Sequence, residues 1–295
     1  MASEFKEINL YDGKVTIKFF PVSHQYRVDG KRITGVTTFL GIKDKSLPLI
    51  IWATGLMRDD LLDKVGKIEA ADVIKASLLH GQKKDAAATI GSEIHDWCED
   101  YIKFQLKEDG HLIAPDMPES KEAINGVMAF LEWSKQHRVK FISSERIVYS
   151  KKKKYIGTMD IEGIVDGRYC LIDLKSSNTL HNEVRMQTAA YLKADEEECG
   201  RQKYDGRWAI RLSKYTEKEF LAVQNEKKDM KRRVAEITGK EFKDYELPKY
   251  EVFEARDLDE EDNVERDYKA FLAAKALFEW DKVTDFYKED KKKAK

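Results

Sequence analysis

Residues 155–177 read YIGTMDIEGIVDGRYCLIDLKSS, two runs of alternating character joined at Asp166-Gly167. No other segment constrains the chain as tightly. Asp-Gly is a preferred pair for a two-residue type I′ hairpin loop, whose twist suits the flanking strands. Such a loop makes Val165 the partner of Arg168. Antiparallel partner numbers sum to a constant, so Asp160 falls opposite Asp173. Lys175 then shares the face of Asp173 and lies across from Thr158. Directly opposed Cβ atoms are about 5 Å apart. Two bare carboxylates there repel by about 3 kcal/mol at an effective dielectric of about 20, and a divalent cation between them reverses the sign.

The hairpin upstream extends the pattern. If the KKKK run at 151–154 is a four-residue loop, Ser150 pairs with Tyr155 and Glu145 falls opposite Asp160. Three carboxylates then stand in a row across three strands. An oxygen-rich set of this kind suits the hard cations Mg²⁺ or Mn²⁺. Lys175 beside it can orient or deprotonate a water, or steady a phosphate oxygen. Strict alternation places Met159, Ile161, Val165, Ile172 and Leu174 on the opposite, apolar face. Charged residues on one face of an ordinary amphipathic sheet would look similar. However, Ile156, Ile164, Tyr169 and Leu171 flank the charges, which favours a partly covered cleft.

Two helical segments bring further polar groups. In GSEIHDWCEDY (91–101) the apolar stripe runs through Ile90, Ile94, Trp97, Tyr101 and Phe104. His95 sits one position off that stripe, with Glu99 one turn on. A histidine at the edge of a buried face can reach a metal through one ring nitrogen, though alone it suits a boundary position equally well. In EVRMQTAAYLKA (183–194), Gln187 and Tyr191 are one turn apart on a shared face.

The remaining patterns predict short strands within 14–40, helical character over 46–79 broken at Gly66, and helices over 84–106 and 119–137. A strand at 146–150 precedes the hairpin. A helix over 181–196, a strand at 207–214, a helix over 217–238, a strand-like KYEVFEA and a helix over 263–282 follow. Helix, three-strand meander, helix, strand is the order of a mixed α/β domain around a central sheet. Three spans are expected within one compact unit: an N-terminal β-hairpin and helical cap over 1–84, a core over 85–255, and a C-terminal helix with a Lys-rich tail over 256–295.

Composition excludes several classes. The net charge is −1 over 295 residues, so no global field draws the chain to polyanions. Basic runs are local, at 151–154, at 227–233 (KKDMKRR) and in the tail, and an acidic block, DLDEED, fills 257–262. Cys98, Cys170 and Cys199 form neither a CxxC pair nor a four-thiolate set, and suit a reducing compartment. The start, MASEFKEINL, lacks a signal core, and the longest apolar stretch, at 47–57, is too short to span a bilayer. A cytoplasmic location without membrane association is expected. No GxxxxGK[ST] loop is present, so any motor would be a partner.

Taken jointly, G-S-x-I-H, G-T-M-D, I-D-L-K-S-S and Q-x-x-x-Y resemble the PD-(D/E)XK nuclease superfamily over about residues 85–215. The pattern is most similar to its RecB-like branch, which includes phage-type exonucleases and the mitochondrial genome-maintenance exonuclease. The opening HQYRVDGKRITGVTTFL also looks like the leader of phage-type members. The resemblance implies a restriction-endonuclease-like α/β core, a central mixed sheet flanked by helices. It implies that His95, Asp160, Asp173 and the Leu174 carbonyl ligate Mg²⁺ or Mn²⁺, with Glu145 as a further candidate. Lys175 would be the catalytic lysine, Gln187 would position the nucleophile or Lys175, and Tyr191 would support the substrate side. The cysteines needed by iron–sulfur members are absent, so a cluster-free enzyme is the better comparison.

The expected activity is metal-dependent hydrolysis of DNA phosphodiesters, as an exonuclease on free single-stranded or duplex ends in recombination, repair or phage DNA processing. The expected setting is a bacterial or phage-infected cell. A helicase, recombinase or single-strand-binding protein would be a natural partner. Basic clusters would hold the backbone, with Trp97 or Tyr155 as stacking surfaces. A structure-specific or nicking endonuclease and a catalytically silent nucleic-acid-binding subunit are the alternatives.

Overall fold

The computed structural model describes residues 4–108, 110–259 and 263–283. Residues 260–262 of the acidic block and the Lys-rich end of the tail lie outside the described residues. The chain is mixed α/β, and its centre is a five-stranded sheet of order β5-β6-β7-β8-β9. These strands are β5 (Lys140–Ser150), β6 (Tyr155–Val165), β7 (Arg168–Lys175), β8 (Gly206–Leu212) and β9 (Phe253–Asp257). Only β7 and β8 pair in parallel, joined by the crossover helix α5 (Glu183–Cys199). A separate antiparallel sheet precedes it, with strands β1 (Lys6–Leu10), β2 (Val15–Phe20), β3 (Gln25–Val28) and β4 (Lys31–Ile33) in chain order. Of these, β1 is absent from the sequence expectation.

Both predicted registers are present. Val165 pairs with Arg168 and Ser150 with Tyr155. Asp166 and Gly167 take positive φ angles of 48° and 88°, as a type I′ loop requires. Glu145 lies opposite Asp160, between the pairs Ser144↔Ile161 and Arg146↔Met159. The β6–β7 ladder stops one step before Asp160 and Asp173, at Ile161↔Ile172.

Strict alternation fails, however, and this corrects the expected apolar face. Ile161, Val165, Ile172 and Leu174 pack under α3 (Ala70–Leu106) and α4 (Lys121–Gln136), with Ile94, Val127 and Phe130. Met159 instead joins Leu171, Tyr155 and Val148 beneath α5 and α7 (Val264–Val283). In β6 both Met159 and Glu162 therefore face α5, and in β5 Ser143 and Arg146 both contact groups on that side. Side-chain phase slips by one residue in each strand, at Glu145 and Asp160. Glu145 takes the left-handed conformation there, with φ 48°. Both strands slip together, so the pairing register continues unchanged through the kink.

Ion pairs close the back of the sheet. Glu162 accepts hydrogen bonds from Lys203 Nζ (2.6 Å) and Tyr204 Oη (2.6 Å), which also reach Asp195 at 2.8 Å each. Arg207, wholly buried on β8, binds Asp259 Oδ1 (2.6 Å) and Asp267 Oδ2 (2.9 Å). Asp257 pairs with Arg168. The described part of the acidic block is thus a latch that fixes the C-terminal segment to the sheet.

The helix α2 (Ser46–Leu62) has no buried residue, and Leu47, Leu49, Ile50, Ile51 and Trp52 are exposed. None of the described helices is long and apolar enough to cross a membrane. Trp97 (8% exposed) and Tyr155 (0%) are core residues, so neither offers the expected stacking surface.

Removing one partner of a buried ion pair leaves the other charge desolvated, at a cost of about 3–5 kcal/mol. Arg207→Ala should therefore lower stability by that order in urea titrations. Arg266→Ala, on an exposed side chain, should cost about 0.5 kcal/mol or less. Equal effects from the two would exclude the latch.

Candidate metal centre

The kink delivers two carboxylates to one place, and α3 adds an imidazole. Ile94, Cys98 and Ile102 bury one stripe of α3 against α4 and the sheet, which leaves His95 at the stripe's edge. Gly91, one turn earlier, lets the helix approach the end of β7. A methyl group at Gly91 would stand 2.8 Å from Ser176 Oγ. His95, Glu145 and Asp160 each offer a ligand atom, and these atoms lie within 4.8 Å of one another. His95 Nδ1 is 3.8 Å from Asp160 Oδ2, and the same oxygen accepts the Leu174 N–H at 2.8 Å. Leu174 thus meets the cluster through its backbone, its side chain being in the core.

Asp173 sits behind these three groups, 1% exposed. Lys175 Nζ lies 2.5 Å from its Oδ2, so the buried carboxylate is held in an ion pair. Burial raises the Asp173 pKa, and Lys175 opposes that rise without cancelling it. Glu145 is raised well above the usual carboxylate range, chiefly by burial and then by the Asp160 charge. For Lys175, burial favours the neutral amine. The Asp173 and Asp160 charges outweigh burial, and the ammonium form is favoured.

The remaining expected residues come from α5. Gln187 Nε2 donates to Tyr191 Oη at 3.0 Å. The Tyr191 ring occupies the space above Gly157, where any methyl group would overlap it. Burial, and then the Asp173 charge, push the Tyr191 hydroxyl far above its ordinary range, so it stays protonated. His95, Glu145, Asp160, Lys175, Gln187 and Tyr191 all line one cleft of about 1460 Å³.

Sequence reasoning missed one participant. Tyr26, on β3, extends its hydroxyl to Thr158 Oγ1 (2.8 Å) and lines the same cleft. No local pattern signals a contact across 132 residues. The basic run on α6 (Glu217–Thr238) is largely neutralised, with Lys228 paired to Asp244, Arg232 to Asp229 and Arg233 to Asp63.

The donor set fits a hard dication. Carboxylate oxygens dominate and one imidazole nitrogen is within reach. No family model matches the chain, and no curated protein matches it either.

Three substitutions test this geometry. Gly157→Ala should overpack the Tyr191 site and cost about 1–3 kcal/mol in thermal or urea unfolding. Mn²⁺ at a hundredfold excess over its Kd should stabilise the native protein by about 2.7 kcal/mol. Glu145→Gln should raise the melting temperature in EDTA, because a carboxylate penalised by burial and by the Asp160 charge is gone, and shrink the Mn²⁺-dependent rise. An undiminished rise in both Glu145→Gln and Asp160→Asn would rule out this cluster as the site.

Proposed function

We propose that the chain is a divalent-metal-dependent nuclease of the PD-(D/E)XK type. It hydrolyses DNA phosphodiester bonds and acts first on free single-stranded ends, in recombination, repair or phage DNA processing. The observation that carries this reading is the meeting of His95, Glu145 and Asp160 within 4.8 Å, on a cleft that Lys175 also lines.

His95, Glu145 and Asp160 would hold the ion directly, with Asp173 and the Leu174 backbone close behind them. When bound, Mg²⁺ or Mn²⁺ supplies Lewis acidity toward the phosphate and lowers the pKa of water. The chain's own residues do the rest. Lys175, held as an ammonium by Asp173 and Asp160, offsets negative charge that builds on the phosphate oxygens. Asp173, buried beside it, pairs with that ammonium. The buried Tyr191 hydroxyl engages one N–H of Gln187, which leaves the rest of the Gln187 amide to orient an attacking water or Lys175. No covalent enzyme intermediate is required. A helicase, recombinase or single-strand-binding protein that exposes DNA ends would be a fitting partner.

End-labelled linear single- and double-stranded DNA should yield product ladders in Mg²⁺ or Mn²⁺ and none in EDTA. Lys175→Ala should reduce the rate by at least about 100-fold, the scale of losing one transition-state charge contact. Circular single strands should survive; their cleavage would favour an endonuclease with the same site. Equal cutting in EDTA would overturn the metal mechanism, and DNA binding without cutting under any metal would point to a silent binding subunit.

A further inference from the structure

The four-stranded N-terminal sheet has an inner face that packs on Ile147, Tyr149 and Ile156 of the central sheet. Its outer face is open, and its residues fall into two cross-strand rows. Glu7 pairs with Lys18, Lys18 with Arg27, and Arg27 with Arg32. Two register steps away, on the same face, Phe20 pairs with Gln25. The β1–β2 register carries Phe5 to the side of Phe20, and the two ring centroids are 5.6 Å apart. Lys18 Nζ lies 4.5 Å from the Phe5 centroid, and the Arg27 guanidinium 5.3 Å from that of Phe20.

The first row holds three cations and one acid, Glu7, which reaches Lys18 at 3.5 Å. Among the described residues Arg27 and Arg32 show no ion pair. A row of cations beside an aromatic row offers phosphate contacts at one level and base-stacking surface at the next. Both rows also lead somewhere. Gln25 and Arg32 stand at their β3–β4 ends, and both line the cleft that holds His95, Glu145 and Asp160.

We infer that the outer face of the β1–β4 sheet is a binding platform for single-stranded nucleic acid, with phosphates on Lys18, Arg27 and Arg32 and unpaired bases against Phe5 and Phe20. The inference rests on the nuclease reading only for the strand's destination, the metal cleft. Duplexes fit less well, because their base faces are stacked internally and cannot meet the two rings.

The test is fluorescence anisotropy of a labelled oligo(dT) with the full chain in EDTA, where hydrolysis plays no part. The triple variant Lys18→Gln, Arg27→Gln, Arg32→Gln should weaken binding about tenfold or more. It should also flatten the plot of log affinity against log salt by about 2, three contacts at about 0.7 each. Phe5→Ala with Phe20→Ala should weaken it about fivefold without changing that slope. Glu7→Gln removes the row's acid and should tighten binding, a gain that misfolding cannot mimic. Unchanged affinity in the triple variant, weaker binding by Glu7→Gln, or tighter binding of duplex than of single strand would each overturn the platform. Cleavage by the native protein combined with unaltered binding by the variants would remove the platform and keep the nuclease. Variant-sensitive binding by a native protein that cuts nothing would do the reverse.

Discussion

Side chains on a β-strand alternate between faces, and the central sheet depends on one place where two neighbouring strands break that rule together. Upstream of Glu145 and downstream of Asp160, one set of residues serves the core under α3 and α4. On the far side of the kink the same parity would have served the wrong core. The slip lets Met159 and Val148 pack under α5 while Ile161 and Ile172 pack under α3. Each side of the sheet is thereby covered along its full length. The residues at the slip belong to neither core and are left facing the cleft.

Tolerance of charge at that point comes from what surrounds it. On the α5 side Glu162 and Asp195 share hydrogen bonds from Lys203 and Tyr204, and Arg146 adds an ion pair to Asp195. On the cleft side, Lys175 forms the ion pair with Asp173, and Glu145 has burial and like charge acting on it together. The fold therefore concentrates its unbalanced negative charge where a cation can approach from solvent and compensates it elsewhere.

Much of this was legible in the sequence, for local reasons. The Asp166-Gly167 loop and the 151–154 turn set both registers by loop length alone, so Glu145, Asp160 and their strands could be placed without coordinates. Helical spacing put His95 beside Ile94 and Gln187 one turn from Tyr191. The side-chain phase was not legible, because a slip shared by two strands preserves every partner sum and leaves no trace in the pairing. Nor was the inward reach of Tyr26 to Thr158, a contact made only when one sheet docks on another. Trp97 and Tyr155 misled for a related reason. Aromatic identity cannot distinguish a stacking platform from a core, whereas Phe5 and Phe20 lie on an open face.

The left-handed residue in β5 also limits how this chain can change. Loss of Glu145 would restore regular alternation in β5 while β6 kept its slip at Asp160, so the two strands would no longer pair in step. Length in this short stretch is therefore under tighter constraint than composition.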